Sequence, residues 1–328
     1  MWFNFVLMNH GMTGSKEWLS PLTDYMRGAL GRCGHETTVT LEEVYRRAIN
    51  VFFEYFPDEE FIEHLLALKK ANGLRMGVIA TELMVGGSIP YARHGMQWTG
   101  DKTEFFRKRV GGFERVAGQA DFVWSWLERT AHEYRGICPV SEFFPVGHIA
   151  TIPAYQRQAP KDIDVLFFGT RTPHRTDLIG RFRALGINVL CIGRGFPLGY
   201  MIKSQLASYL DRAKIGLNLN LHAEDDTDNG VDPRFASCMR ITEMLDREMC
   251  IASEEIPLDN PYRNFMVSAE AGDLAATCQQ LLASGAWESA ARINAQRFRE
   301  QMDVVKVCGP VIDRTLVGMG IRGQLAAA

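Results

Sequence analysis

Arg240 and Glu243 stand one helical turn apart in the run RITEML, between two apolar strand-like runs, KIGLNLNL and CIAS. A three-residue spacing puts both side chains on one helix face. In an open α/β sheet the crevice outside the carboxyl ends of the strands is where ligands bind, so a guanidinium there suits a phosphate, or simply pairs with the glutamate. An ionised glutamate offers acceptors only, and a carboxylate early in a helix is also favoured by the macrodipole alone. A second group follows the apolar run DVLFF: Gly169, Thr170 and Arg171, with Arg175 four residues further on, ahead of the helical run DLIGRFRALG. Backbone N–H groups at a helix N-terminus, together with arginine forks, suit a diphosphate, although a glycine serves any β–α turn. Asn218 and Asn220 alternate with leucines and share one strand face near its carboxyl end, where an amide needs a ligand or a loop to satisfy it. No G-x-G-x-x-G and no G-K-[ST] occurs, which removes support for dinucleotide and P-loop chemistry.

The first half of the chain holds candidates for proton transfer. His10 follows the first apolar run, Glu54 falls within the third strand and Glu82 ends the fourth. His10 and Glu82, at strand ends that face a crevice, are the candidate general bases; capping or core-edge use is the plainer reading of each. Gly11 and Gly14 allow close backbone approach to an acceptor or phosphate. His94 to Met96 and Trp98, Trp124 and Trp126 offer binding surface, with core packing the better reading for the last two. Four aspartates and a glutamate lie between His222 and Arg234 without the regular oxygen spacing of a calcium loop. Asp162 and Asp164 form a D-x-D string at the front of a strand, away from any crevice, so no metal is expected.

These residues require a framework of alternating elements. WFNFVLM predicts a strand, Lys16 to Cys33 a helix, and INVFFEYF, DEEFIEHLLALKKAN, RMGVIATE, EFFRKRVGGFERVAGQ, DFVWSW and LERTAHEYR continue the alternation. Such alternation implies parallel sheets covered on both faces. Residues 147–161 carry two prolines and little periodicity, which places a linker there and divides the chain into 1–150 and 151–328. The second part restarts with DVLFFG, TRTPHR and the helix DLIGRFRALG, and Gly193 closes the next strand, NVLCIG. A final helix is predicted over Trp287 to Val305.

The ordered pieces DVLFFGTRTPHR, GINVLCIG, YLDRAKIGLNLNL, RITEML and MVSAEAGDLAATCQQLL, over about residues 162–300, resemble the C-terminal domain of GT-B glycosyltransferases, in particular the group 1 and spore-maturation-like branch. The resemblance implies two facing Rossmann-like domains, α/β with parallel sheets and an interdomain cleft, the last helix crossing back to the first domain. It implies that Glu243 accepts hydrogen bonds from the ribose of a nucleotide-sugar donor held by Gly169, Thr170, Arg171, Arg175, Gly193, Asn218, Asn220 and Arg240. Two departures stand out. Asp246, Arg247 and Glu248 replace the small residue and glycine usual after the glutamate, and Phe235 stands where the first member of an E-x7-E pair would be.

With 328 residues the chain suits two domains. A net charge of −3 without a basic run argues against nucleic acid or an anionic membrane as main partner. The seven cysteines are scattered and read as reduced core residues, and no run predicts a signal peptide or membrane span, so a cytoplasmic location is expected. The combined expectation is a metal-independent, cofactor-free glycosyltransferase moving a sugar from a nucleotide-diphosphate sugar to the hydroxyl of a sugar, lipid-linked or protein acceptor bound by the first domain. A sugar-nucleotide epimerase and a non-catalytic sugar-nucleotide binder are the alternatives.

Overall fold

A computed structural model of the chain describes residues 1–7, 15–56, 58–81, 103–149, 160–220, 234 and 237–321. His10, Gly11, Gly14, Glu82, His94 to Met96, Trp98, Phe235 and most of the acidic loop (222–233) lie outside the described residues. The chain divides into two compact units, Met1–Ile149 with Val304–Ala328, and Ala150–Asp303.

The first unit runs β1 (Trp2–Leu7), α1 (Ser15–Arg32), β2 (Glu36–Leu41), β3 (Ile49–Phe53), α2 (Glu59–Asn72), β4 (Arg75–Ala80), α3 (Thr103–Ala117), β5 (Phe122–Ser125), α4 (Glu128–Tyr134) and β6 (Ser141–Phe143). Its strands form a parallel sheet in the order β2-β1-β3-β4-β5-β6. β3 is buried along its whole length, as a strand covered on both faces must be. Local signals set the helices. The Asp58 carboxylate accepts the Phe61 N–H at 3.0 Å to start α2, and Gly73, at φ 59°, ends it in the left-handed region. Phe52, Phe56, Ile62, Leu65, Val78 and Phe113 form a core between α2, α3 and the sheet. Trp124 and Trp126 are buried, so both belong to packing. The Trp124 indole donates to Thr315 Oγ1 at 2.8 Å, tying in the last helix, α10 (Val304–Gly318).

The second unit runs β7 (Ile163–Phe168), α5 (Pro173–Ala184), β8 (Val189–Ile192), α6 (Lys203–Arg212), β9 (Ala213–Asn218), α7 (Cys238–Asp246), β10 (Cys250–Glu254), β11 (Val267–Ala269), α8 (Leu274–Ser284) and α9 (Ala286–Gln301). The parallel order is β11-β10-β9-β7-β8. The single helix expected over Trp287 to Val305 is two: α9 stops at Gln301 and α10 begins at Val304, whose N–H donates to His148 O at 3.0 Å. The break carries neither glycine nor proline. Cys238, Cys250 and Cys278 are buried thiols whose pKa values burial pushes up to about 12, as core cysteines show. No described helix is long and apolar enough to cross a membrane.

Candidate functional site

In the second sheet the chain leaves β7 for β8 on one side and returns to β9 on the other, so the strand order reverses between β7 and β9. Such a reversal opens a crevice at the carboxyl ends. The turn after β7, Gly169 to Thr172, and the turn after β9, Leu219 and Asn220, border it. Thr172 caps α5 by accepting the Arg175 N–H at 3.3 Å, with Pro173 at the first helical position. Glycines bring the backbones close. A Cβ on Gly193 would lie 2.1 Å from the Gly169 carbonyl oxygen, and one on Gly169 would lie 2.8 Å from Arg240 Nη2. Gly216 in β9 has the same use for α7, since a Cβ there would lie 2.2 Å from Met244 Sδ. That close packing presents Arg240 beside the strand ends.

The backbone cradle expected at Gly169 to Arg171 is largely committed elsewhere. The Gly169 N–H donates to Ile192 O and the Arg171 N–H to Arg194 O, both at 2.9 Å, extending the β7–β8 pairing. Arg175 also has a different occupation. Its guanidinium is buried and donates to Thr170 O at 2.8 Å, Leu219 O at 2.8 Å and Asn220 O at 2.9 Å, stitching the two turns together. Burial, and then the charge of Arg240, lower its pKa well below the usual value, with Glu254 acting against them. The Arg171 side chain is exposed, with Nε donating to Thr176 Oγ1 at 3.2 Å.

Arg240 differs from its neighbours. Its guanidinium lies 5.5 Å from the Phe167 ring centroid and 5.6 Å from that of Phe168, and has no hydrogen bond or ion pair among the described residues. Desolvation lowers its pKa to about 10, so it remains cationic at neutral pH while part of the residue still reaches solvent. Glu243, three residues on, accepts from Arg247 Nη2 at 2.9 Å and Nε at 3.2 Å through one oxygen, Oε1.

The asparagines are satisfied mainly within the sheet. Asn218 Nδ2 donates to Ser253 Oγ at 2.9 Å; Asn220 Nδ2 donates to Glu255 O at 3.4 Å, while its buried Oδ1 has no partner among the described residues. The Asn220 backbone N–H donates to Glu254 Oε2 at 2.6 Å, and Glu254 Oε1 lies 2.7 Å from His174 Nε2. Sequence reasoning missed His174 and Glu254; the one available signal was an acid closing the apolar strand CIAS. Asp162 and Asp164 pair with Arg212 and Lys214 at the other end of the sheet. Among the described residues no three His, Cys, Asp or Glu side chains gather as a metal site.

No protein-family model and no curated protein matches the sequence. The structure does match solved ones. An α-glucosyltransferase in complex with UDP and a 13-mer DNA containing a HMU base superposes with a TM-score of 0.60 at 11% identity, over 97% of this chain and 99% of that one. The DNA-modifying enzyme β-glucosyltransferase, determined with and without uridine diphosphoglucose, gives 0.53 at 11% identity, over 97% and 99%. A trehalose-6-phosphate synthase, OtsA, gives 0.53 at 11% identity, over 83% and 72%. The fold is that of GT-B glycosyltransferases, two units with parallel sheets.

Proposed function

We propose that this chain is a glycosyltransferase of the spore-maturation-like branch, whose second unit binds a nucleotide-diphosphate sugar. The observation that carries the reading is Arg240, a desolvated cation beside the strand-order reversal with no counter-charge among the described residues. A cation so placed favours an anion, and a diphosphate supplies one on a ligand large enough to reach Glu243. Arg240, with the exposed Arg171, stabilises the charge that develops as the diphosphate leaves the anomeric carbon. Glu243 receives the ribose hydroxyls. Arg175 acts one step back, holding the two turns in register. These basic groups take the place a cation would otherwise have at the diphosphate, so the transfer is metal-independent. UDP and uridine diphosphoglucose accompany two of the structurally similar enzymes, which makes UDP-sugars the first donors to try. The first unit binds a hydroxyl acceptor, with His10 or Glu82 as general base.

The test is thermal unfolding with UDP, GDP, ADP, CDP and TDP and their sugars. A ligand at about 100 times its dissociation constant stabilises by about 2.7 kcal/mol. One nucleoside diphosphate is expected to raise the midpoint and the corresponding nucleoside to leave it unmoved. A panel without any shift at millimolar concentration overturns the reading.

A further inference from the structure

Arg247 is the residue that departs most from the small side chains expected after Glu243, and the structure gives it a defined task. Its side chain is 1% exposed. Nη2 and Nε both donate to Glu243 Oε1, at 2.9 and 3.2 Å, while Nη1 donates to Asp211 Oδ1 and, at 3.4 Å, to Ala207 O. One guanidinium thus joins α7 to the end of α6 and faces two carboxylates. Coulombic attraction and hydrogen bonds from Glu243 and Asp211 outweigh the effect of burial and raise its pKa. It stays charged, and the trio carries one net negative charge.

The geometry has a consequence for Glu243. A free glutamate on a helix surface samples several rotamers, and fixing it on a ligand costs entropy at the moment of binding. Here a rigid planar fork, itself anchored by Asp211, takes one oxygen of Glu243 with two bonds. Oε2 has no bond among the described residues, and the Glu243 side chain is 25% exposed. The carboxylate is therefore held in one orientation with acceptor capacity left over. An anchored acceptor of this kind discriminates a diol from its deoxy counterpart better than a mobile one, because lost bonds are not recovered by reorientation.

We infer that Arg247, anchored by Asp211, is a positioning residue that orients Glu243 and thereby sets the preference for a ribonucleotide over a 2′-deoxyribonucleotide. The inference rests on the donor-site reading above and adds to it a residue that touches no ligand. The measurement is calorimetric affinity for UDP, GDP, ADP and CDP against the 2′-deoxy form of whichever binds tightest, in the parent and in Glu243→Gln, Arg247→Met, Arg247→Lys and Asp211→Asn. The parent should prefer the ribonucleotide by at least about tenfold, the range of hydrogen bonds to a charged group. Arg247→Met should bring the preference within about threefold with affinity for the deoxy form nearly kept; Arg247→Lys and Asp211→Asn should fall between. A purely structural role would weaken both nucleotides equally, and that result overturns the inference. So does full preference in folded Arg247→Met or, where that variant does not fold, in Asp211→Asn. In either case loss of preference in Glu243→Gln leaves the donor reading standing. If Glu243→Gln keeps the preference, or no nucleotide binds the parent, the donor reading itself falls and the inference with it.

Discussion

Glu54 and Glu254 occupy matching places in the two units: each lies at the carboxyl end of a buried parallel strand and takes a backbone N–H from the segment leaving the neighbouring strand. Glu54 accepts the Thr81 N–H and, at 2.7 Å, the Thr81 hydroxyl, with Arg109 Nη2 at 3.4 Å as its cationic partner. Glu254 accepts the Asn220 N–H at 2.6 Å and meets His174 Nε2 at 2.7 Å. Both glutamates are only 3% exposed. The difference is in the charge around them. In the first unit, among the described residues, one carboxylate faces one arginine, which also lies over Tyr55 at 5.0 Å. In the second unit one carboxylate acts on Arg175, which in turn feels Arg240, and the described residues leave the cations in excess. A balanced buried pair holds a fold, whereas an unbalanced group of cations at a strand-order reversal is suited to an anion from outside.

The largest expected effect tests the balanced side. Glu54→Ala removes the acceptor of the Thr81 amide and hydroxyl and the carboxylate beside buried Arg109, and breaking a buried pair costs about 3 kcal/mol or more. Glu254→Ala, which strands the Asn220 N–H beside a partly exposed histidine, should cost about 2 kcal/mol. Urea unfolding of both variants gives the comparison directly. If Glu254→Ala proves the more destabilising, the second device is as structural as the first.

Arg240→Met separates stability from binding on the unbalanced side. The substitution should weaken the tightest nucleoside diphosphate at least about tenfold, a loss of about 1.4 kcal/mol. It should also stabilise the ligand-free protein by about 1 kcal/mol, since a desolvated cation is removed, less the lost stacking on Phe167 and Phe168. The sign with pH follows from the lowered pKa. Arg240 is charged in both folded and unfolded chains below pH 10, so its burial cost is fully present there. Above that value the folded chain releases the proton first, the cost fades, and the advantage of Arg240→Met should shrink. A variant less stable than the parent at pH 7 would mean that Arg240 holds the fold and is no ligand group.

Much of this framework was legible in the sequence, because long apolar runs and cap residues act locally. β3, β4, β7 and β9 follow from continuous apolar runs, and α2 from the run DEEFIEHLLALKKAN; α5, read from Asp177, starts four residues earlier, where Thr172 caps it and Pro173 opens it. No apolar run marked β2, whose residues are exposed or half-buried, and β6 and β11 escaped because each is three residues long. At the site, Arg240 and Glu243 were visible as an i, i+3 pair. The task of Arg175 was not, since donation to three carbonyl oxygens depends on Arg175 meeting Asn220, 45 residues away in sequence. The Glu254–His174 contact is hidden for the same reason, spanning 80 residues. Arg247 was noticed only as a departure; its two carboxylate partners lie on different helices.

The smallest expected effect compares two helix ends. α2 closes on Gly73 at φ 59°, with the Leu74 N–H donating back to Lys69 O at 3.2 Å; α7 closes on Glu248 at φ 49°, with the Met249 N–H donating back to Met244 O at 3.0 Å. The backbone is the same motif in both, and only the first has the residue that adopts it without strain. A side chain in the left-handed region costs about 1 kcal/mol or more. Glu248 offsets part of this through Arg299, whose Nη2 lies 2.7 Å from its carboxylate. Gly73→Ala should therefore destabilise by about 1 kcal/mol. Glu248→Gly should be close to neutral in the parent, where strain relief and the lost ion pair oppose one another. In an Arg299→Met background, where that ion pair is already gone, it should stabilise by about 1 kcal/mol. Differential scanning calorimetry of the four Glu248 and Arg299 combinations gives the coupling. Additive effects would show that Arg299 does nothing to hold the strained turn, leaving the cost of Glu248 at the end of the site helix uncompensated by that pair.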